Sequence, residues 1–388
     1  MATTNPPAPG TMERILRLMG EKKASDVYLS AMAPALIKIN GQCVPINAQL
    51  LPIDAPRNLL AEVLPEERMA ELDRNGELNM GFPLAGVGRF RVSAMRQRGT
   101  VAAVIRFVAV EVPSMAELNV PMVLGELIME KRGLILMVGA TGAGKSTTLA
   151  SMIDYRNENT TGHILTIEDP IEFLFKNKRS VVNQREIGTD TQSLDVALRN
   201  ALRQAPDVIL IGEIRDRETM SAAIAYAQSG HLCLATMHAN NSYHALNRIL
   251  SFYPVEVRAT LQGDLAAALK AIVSQRLLRT TNGKRTPAVE VLLNTHLVSE
   301  LIEKGDFAGV KEAMEKSMAE GSQCFEQDIA RLILSGAVER KEGLSHADSP
   351  TNLMWRMQND FTQKAKAVVV QEEEEEASFT EITLDVKH

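Results

Sequence analysis

Cysteine is scarce in this chain: Cys43, Cys233 and Cys324 are the three among 388 residues. They lie far apart and form no C-x-x-C pair, which argues against a disulfide framework and a tetracysteine zinc element. Three inert thiols in a reducing compartment are expected. Aromatic residues make up 4 %, with Trp355 the single tryptophan, and the formal net charge is −6. The acidic balance lacks the basic footprint usual in nucleic-acid binders, so no nucleic-acid partner is expected. No apolar run approaches the ~18 residues of a membrane span. The opening MATTNPPAPG has neither a basic n-region nor an apolar h-region, unlike a signal peptide. A cytoplasmic location follows as an expectation.

What is present is enough apolar residue, 45 % of the chain, for two domains and a tail. Residues 1–10 read as a Pro-rich disordered lead. TMERILRLMGEKKA then reads as an amphipathic helix, with Thr11 as its cap and Ile15, Leu16, Leu18 and Met19 on its apolar side. Strands are predicted at 27–30 and 36–41, the second ending in an Asn-Gly turn signal, and helices at about 55–64 and 66–73. RFRVSAMRQ and TVAAVIRFV flank Arg98-Gly99 as two further strands. These elements define a small α+β domain over 11–113, followed by a linker and helix over 114–132. From Gly133 the pattern changes. LILMVG, HILTIED, DVILIGE and HLCLATMH are short apolar runs alternating with helical stretches, the signature of a parallel sheet covered on both faces. The α/β domain extends over 133–345; beyond Leu261 it is predicted to be largely helical, with one strand at PAVEVLL. Residues 346–388 form an acidic, mostly disordered tail containing five consecutive glutamates, Glu372 to Glu376.

The first apolar strand runs into Gly139-Ala140-Thr141-Gly142-Ala143-Gly144-Lys145-Ser146, which fits G-x-x-x-x-G-K-[ST]. Glycines let the backbone curl until its N–H groups face a phosphate chain. The helix that begins near Lys145 adds the positive end of its dipole. Lys145 is expected to reach the β- and γ-phosphates of ATP, and Ser146, followed by Thr147, to ligate Mg²⁺. Hydrolysis also needs carboxylates. DVILIGE ends in Glu213 and ILTIEDPIE in Glu168, Asp169 and Glu172. Parallel strands present their C-terminal ends to the ligand, so Glu213 is expected beside Ser146 and the metal. His238, at the end of HLCLATMH, is placed to hydrogen-bond a γ-phosphate; His231 precedes the same strand.

A two-residue hairpin loop at Arg98-Gly99 would pair positions whose numbers sum to 197. Arg91 then faces Arg106, and Arg89 shares their face. Like charges directly opposite each other destabilise a sheet. Either both side chains splay into water, or an anion sits between them, and the nucleotide of the second domain could supply it.

The motifs GATGAGKSTT, ILTIEDPIEF, DVILIGEIRD and GHLCLATMHANN, in this order, resemble the secretion-ATPase superfamily and within it the type IV pilus retraction ATPases of the PilT/PilU family. The likeness runs from KKASDVYLS to about residue 345. It implies a PAS-like first domain, a RecA-like P-loop ATPase core, and a homohexameric ring in which ATP binds between the domains. The resemblance makes Lys145 and Ser146 the Walker A pair and Glu213 the Walker B acid at the magnesium ion. Glu172 becomes the general base, His231 and His238 the His box, and Arg91 and Arg106 the arginines that reach the phosphates. Partners implied are a principal PilT-type motor and an inner-membrane pilus platform protein, which puts the chain at the cytoplasmic side of that membrane. Departures are informative. Ala140 and Ala143 replace the proline and serine of GPTGSGKST, and LRQAPD carries Ala205 where the family reads LRxDPD. The stretch LVSELIEK, 297–304, stands where the principal motor has AIRNLIRE, so that Ser299 and Glu303 replace two arginines. This last change, with the acidic extension, resembles the accessory PilU-type motor.

Three rival readings have different signatures. A pilus-extension or type II secretion ATPase would carry a tetracysteine zinc element. A RecA-like DNA translocase would carry basic or aromatic DNA contacts. A non-catalytic ATP-binding scaffold would not need Lys145, Glu172 and Glu213 together. In the tail, the alternation of Ile382, Leu384 and Val386 offers either an added strand for docking or plain disorder.

Overall fold

The computed structural model describes residues 10–39, 42–108, 112–316 and 319–358. The Asn40-Gly41 turn signal, the glutamate run and the alternating Ile382, Leu384 and Val386 lie outside the described residues. Among the described residues the strands, in chain order, are β1 (Asp26–Ser30), β2 (Pro34–Ile39), β3 (Gln42–Leu50), β4 (Glu77–Leu84), β5 (Gly88–Gln97), β6 (Thr100–Val108), β7 (Gly133–Val138), β8 (Gly162–Glu168), β9 (Ser180–Glu186), β10 (Val208–Ile211), β11 (Leu232–Met237), β12 (Leu269–Arg279) and β13 (Arg285–Leu293). Two compact units divide the chain. Of the described residues, one holds those up to Ser114 with Leu149–Glu213 and His231–Cys233; the other holds Met115–Thr148, Ile214–Gly230 and those from Leu234 onward.

In the first unit, β3-β2-β1-β6-β5-β4 form an antiparallel sheet. Alternation along β5 buries Phe90, Val92 and Ala94, and along β6 Val101, Ala103 and Ile105, because successive side chains point to opposite faces. The helix Thr11–Lys22 packs on this core through Met12, Leu16 and Met19, one stripe at helical spacing. Thr11 is the first residue of that helix and not its cap: Gly10 takes the cap position, and the Thr11 hydroxyl instead accepts from Arg14 Nη2 at 3.2 Å. Fully burying a side chain such as Phe90 or Leu16 stabilises the fold by about 1.5–3 kcal/mol. The β5–β6 hairpin turns at Arg98 (φ 47°) and Gly99 (φ 77°). Two consecutive positive φ values are what a two-residue type I′ turn needs. The pairing that follows puts Arg91 opposite Arg106 and Arg89 opposite Val108, the expected register.

The same unit contains three parallel strands in the order β10-β8-β9. Ala205, before β10, adopts a left-handed conformation (φ 47°, ψ 52°), a region in which Asp and Asn are better tolerated than Ala. The second unit has β13-β12-β7-β11, with β12 parallel to β7 and antiparallel to β13. β7 and β11 are buried at every position, as expected for strands covered on both faces. β12 is a correction to the expected helical character beyond Leu261. Its residues LKAIVSQRLLR are mostly good helix formers, but pairing on both edges overrides that weak preference. β3, β4 and β9 were also unforeseen.

Candidate active site

The phosphate loop belongs to the second unit. β7 delivers the chain at Val138, and Gly139, Gly142 and Gly144 follow with φ of 154°, 77° and 85°. Close approach explains two of these glycines: a Cβ on Gly139 would lie 2.6 Å from the Gln275 carbonyl oxygen, and one on Gly144 2.7 Å from Gln275 Nε2. Gln275, on β12, is buried and fastens the loop from below. Its amide donates to the Ala143 carbonyl at 2.8 Å and accepts from Thr148 Oγ1 at 2.8 Å. The helix Lys145–Asn159 begins immediately after the loop. Lys145 is 9 % exposed, and its ammonium donates to the carbonyls of Gly139 and Ala140 at 2.8 and 2.9 Å. The charge is thus folded over the loop that a phosphate chain would occupy. Thr141 and Gly142 are exposed, and Ser146 and Thr147 are half-buried at the start of the helix. Ala143 N–H donates to the Ala140 carbonyl at 3.2 Å across the loop. The tight glycines, the pinned lysine and the start of the helix fit a nucleotide's phosphates and a cation at Ser146.

Beside the loop opens a cavity of about 1020 Å³, lined by Ala140–Ala143, Tyr243, Arg276, Arg285 and Lys311 among others. Arg276 is held by the His346 carbonyl and Asp348, and its guanidinium lies 3.9 Å from the centre of the Phe325 ring. Asn241 donates to the same Asp348 at 2.7 Å. Below it, buried Glu290 accepts from Ser242 N–H at 2.8 Å and Ser274 Oγ at 2.9 Å, and burial pushes its carboxyl up. Sequence reasoning missed Gln275, Arg276 and Glu290. The first two sit on a strand it did not foresee. Glu290 lies in the predicted PAVEVLL strand, where a charge amid apolar residues was the available signal.

The acids belong to the first unit, where the parallel register brings them together. Ile211 of β10 pairs with Ile167 of β8. Glu168, Asp169 and Glu172 therefore leave one strand end next to the end from which Glu213 emerges. Gly212 N–H donates to the Ile167 carbonyl at 2.8 Å, fixing that exit. Glu168 accepts from Thr166 Oγ1 at 2.7 Å and Gln184 Nε2 at 3.1 Å. Burial pushes its carboxyl up, against the opposing effect of these bonds and of the Glu172 N–H. Asp169 and Glu172 are exposed, and the peptide between Asp169 and Pro170 is cis.

The remaining predicted residues are distributed as follows. His231 precedes β11 and His238 follows it, so only His238 stands at the C-terminal end of that strand. Arg106 already has an anion from the protein: its Nε donates to Asp26 Oδ1 at 2.8 Å, and Asp26 is buried on the neighbouring β1. Among the described residues Arg91, opposite it, has no ion-pair partner.

Residues 10–345 match the family described as Type II/IV secretion system protein. The chain is 46 % identical over 342 residues to the type IV pilus ATPase PilU of Pseudomonas aeruginosa, which spans 88 % of this chain and 90 % of that protein. It is 35 % identical over 338 residues to the type IV pilus retraction ATPase PilT of the same organism, spanning 87 % and 98 %. A crystal structure of the pilus retraction motor PilT with bound ADP superposes with a TM-score of 0.83 at 38 % identity, covering 89 % of this chain and 99 % of that one.

Proposed function

The chain belongs to the type II/IV secretion system protein family, and from that premise we propose that its loop and acids hydrolyse ATP to drive type IV pilus retraction. It is an ATPase with a RecA-like P-loop core and a PAS-like first domain, and it acts in pilus retraction and twitching motility. The observation that carries the reading is the glycine-lysine loop, cradled by Gln275 and capped by Lys145.

Residues 11–113 make the PAS-like domain, 114–132 the linker and 133–345 the ATPase domain. The N–H groups of Gly142–Ser146 and the Lys145 ammonium bind the phosphates. Ser146 and Glu213 would hold Mg²⁺, which would supply neutralising charge to the phosphate oxygens. Glu172, exposed on a short segment after β8, accepts the proton of the attacking water. Arg91 offers its guanidinium to the γ-phosphate, Arg106 does so on leaving Asp26, and His238 donates from the end of β11. The active form is a homohexamer in the cytoplasm, docked on an inner-membrane platform protein and paired with a PilT-type motor; nucleic acid is no part of it.

An accessory, PilU-type role is favoured by the higher identity to PilU and by the helix His296–Lys304. There Ser299 donates to the Ala266 carbonyl at 3.3 Å and Glu303 is exposed. A surface that carries Glu303 where the principal motor carries arginine reverses the charge offered to a partner. Deleting this protein while keeping a PilT-type motor tests the role. Labelled pili should still retract without load, but retraction against load should fall severalfold. Unchanged retraction under load would contradict the assignment.

A further inference from the structure

The segment 169–176, which carries Glu172, has neither helix nor strand of its own. Its backbone groups are held by two side chains of β9. Ile171 N–H donates to Glu186 Oε2 at 3.2 Å. Phe175 N–H donates to Gln184 Oε1 at 2.9 Å, while Gln184 Nε2 donates to the Phe173 carbonyl at 2.8 Å. Gln184 and Glu186 are two residues apart and so share one face of the strand. Together they grip the chain immediately before and after Glu172.

Glu186 is 2 % exposed, and a carboxylate so deeply buried requires compensation. Arg89 of β5 provides it: its Nη2 lies 2.9 Å from Glu186 Oε2, and the arginine is itself largely buried. Thr189 Oγ1 donates to the other oxygen at 3.2 Å. Gly81 of β4 leaves room for the pair. A Cβ there would lie 2.6 Å from Arg89 Nη2 and 3.0 Å from Glu186 Oε1.

We propose that Arg89 and Glu186 are positioning residues for Glu172: the ion pair anchors Ile171 and so fixes where the adjacent carboxylate meets water. The inference rests on Glu172 being the general base. Arg89 does not touch nucleotide in this account; it acts through Glu186, and Glu186 acts through the Ile171 N–H. Misplacing a catalytic group by about 1 Å can cost up to ~10²-fold in rate, so loosening one anchor has a measurable effect on turnover without removing the base.

The test is steady-state ATP hydrolysis by the full chain, with a fluorescent ATP analogue to measure binding. Glu186→Gln should lower kcat about tenfold and leave KM and nucleotide Kd within about twofold. Arg89→Lys, which keeps the charge, should lose less than Arg89→Met. Gly81→Ala alters no charge but displaces the guanidinium, and should lower kcat about threefold; it carries the test if Glu186→Gln lowers the folded fraction. Combining Glu186→Gln with Glu172→Gln should be no slower than Glu172→Gln alone, because positioning is redundant once the base is gone. If Glu172→Gln slows turnover but Glu186→Gln and Gly81→Ala do not, or if the two losses multiply, the positioning role is overturned while the base stands. Wild-type turnover in Glu172→Gln would overturn the base, and this inference with it.

Discussion

Lys145→Ala is expected to abolish Mg-ATP hydrolysis, with a loss of at least about 10²–10³-fold, the scale seen when one preorganised donor to a developing charge is removed. The lysine has two tasks. Its ammonium is desolvated, at 9 % exposure, and bonded to the Gly139 and Ala140 carbonyls at 2.8 and 2.9 Å. A buried cation next to a polyanion is worth more than one in water, because the local dielectric is lower. Removing it therefore subtracts charge from the phosphates and loosens the loop that aims the N–H groups. Gln275 and the glycines remain, so the variant should fold and melt close to the wild type. Phosphate release over time checks the expectation, and wild-type-like turnover would remove the loop from the catalytic account.

Glu172→Gln is expected to lower kcat by ~10²–10⁴-fold, the usual contribution of a positioned general base, while nucleotide affinity stays near the wild-type value. The first unit holds several carboxylates near one strand end, and their surroundings separate their roles. Glu168 is tied to Thr166, Gln184 and the Glu172 N–H, and burial pushes its carboxyl up, toward the protonated form. An acid whose oxygens are occupied by three donors is poorly placed to take a proton from water. Glu172 is exposed on a segment held on both sides. Glu168→Gln, which can preserve part of that bonding, should cost less than tenfold. Single-turnover hydrolysis and nucleotide titration on both variants check the assignment. If Glu168→Gln were the slower of the two, the roles would be exchanged.

The parts of this site that were legible in the sequence are those that depend on local chain geometry. The glycine-lysine loop needs residues at fixed spacing, and its strand and helix lie on either side of it. The Arg91–Arg106 pairing follows from a two-residue turn, since Arg98 and Gly99 both take positive φ. Glu168 and Glu213 close apolar runs whose expected parallel strands are β8 and β10, and Glu172 follows the first of them. What was not legible depends on contacts far apart in the chain. Gln275 meets the loop 132 residues away, and nothing in the pattern LKAIVSQRLLR distinguishes a strand from a helix. Arg89 meets Glu186 from 97 residues away. Its shared face with Arg91 and Arg106 was foreseen, but its partner was not. Asp26, the partner of Arg106, was hidden at the first position of β1, where a carboxylate reads as a turn residue until the neighbouring strand is known.

The central claim is that a triphosphate binds on this loop and that Glu172 and Glu213 take part in its hydrolysis. The most direct measurement is a crystal structure of the full chain with Mg²⁺ and a non-hydrolysable ATP analogue. It should show phosphate oxygens within about 3 Å of the N–H groups of Gly142–Ser146 and of Lys145 Nζ, with Ser146 and Glu213 at the metal and Glu172 facing the γ-phosphate. An empty loop at saturating analogue, or Glu172 and Glu213 turned away from a bound nucleotide, would contradict the account.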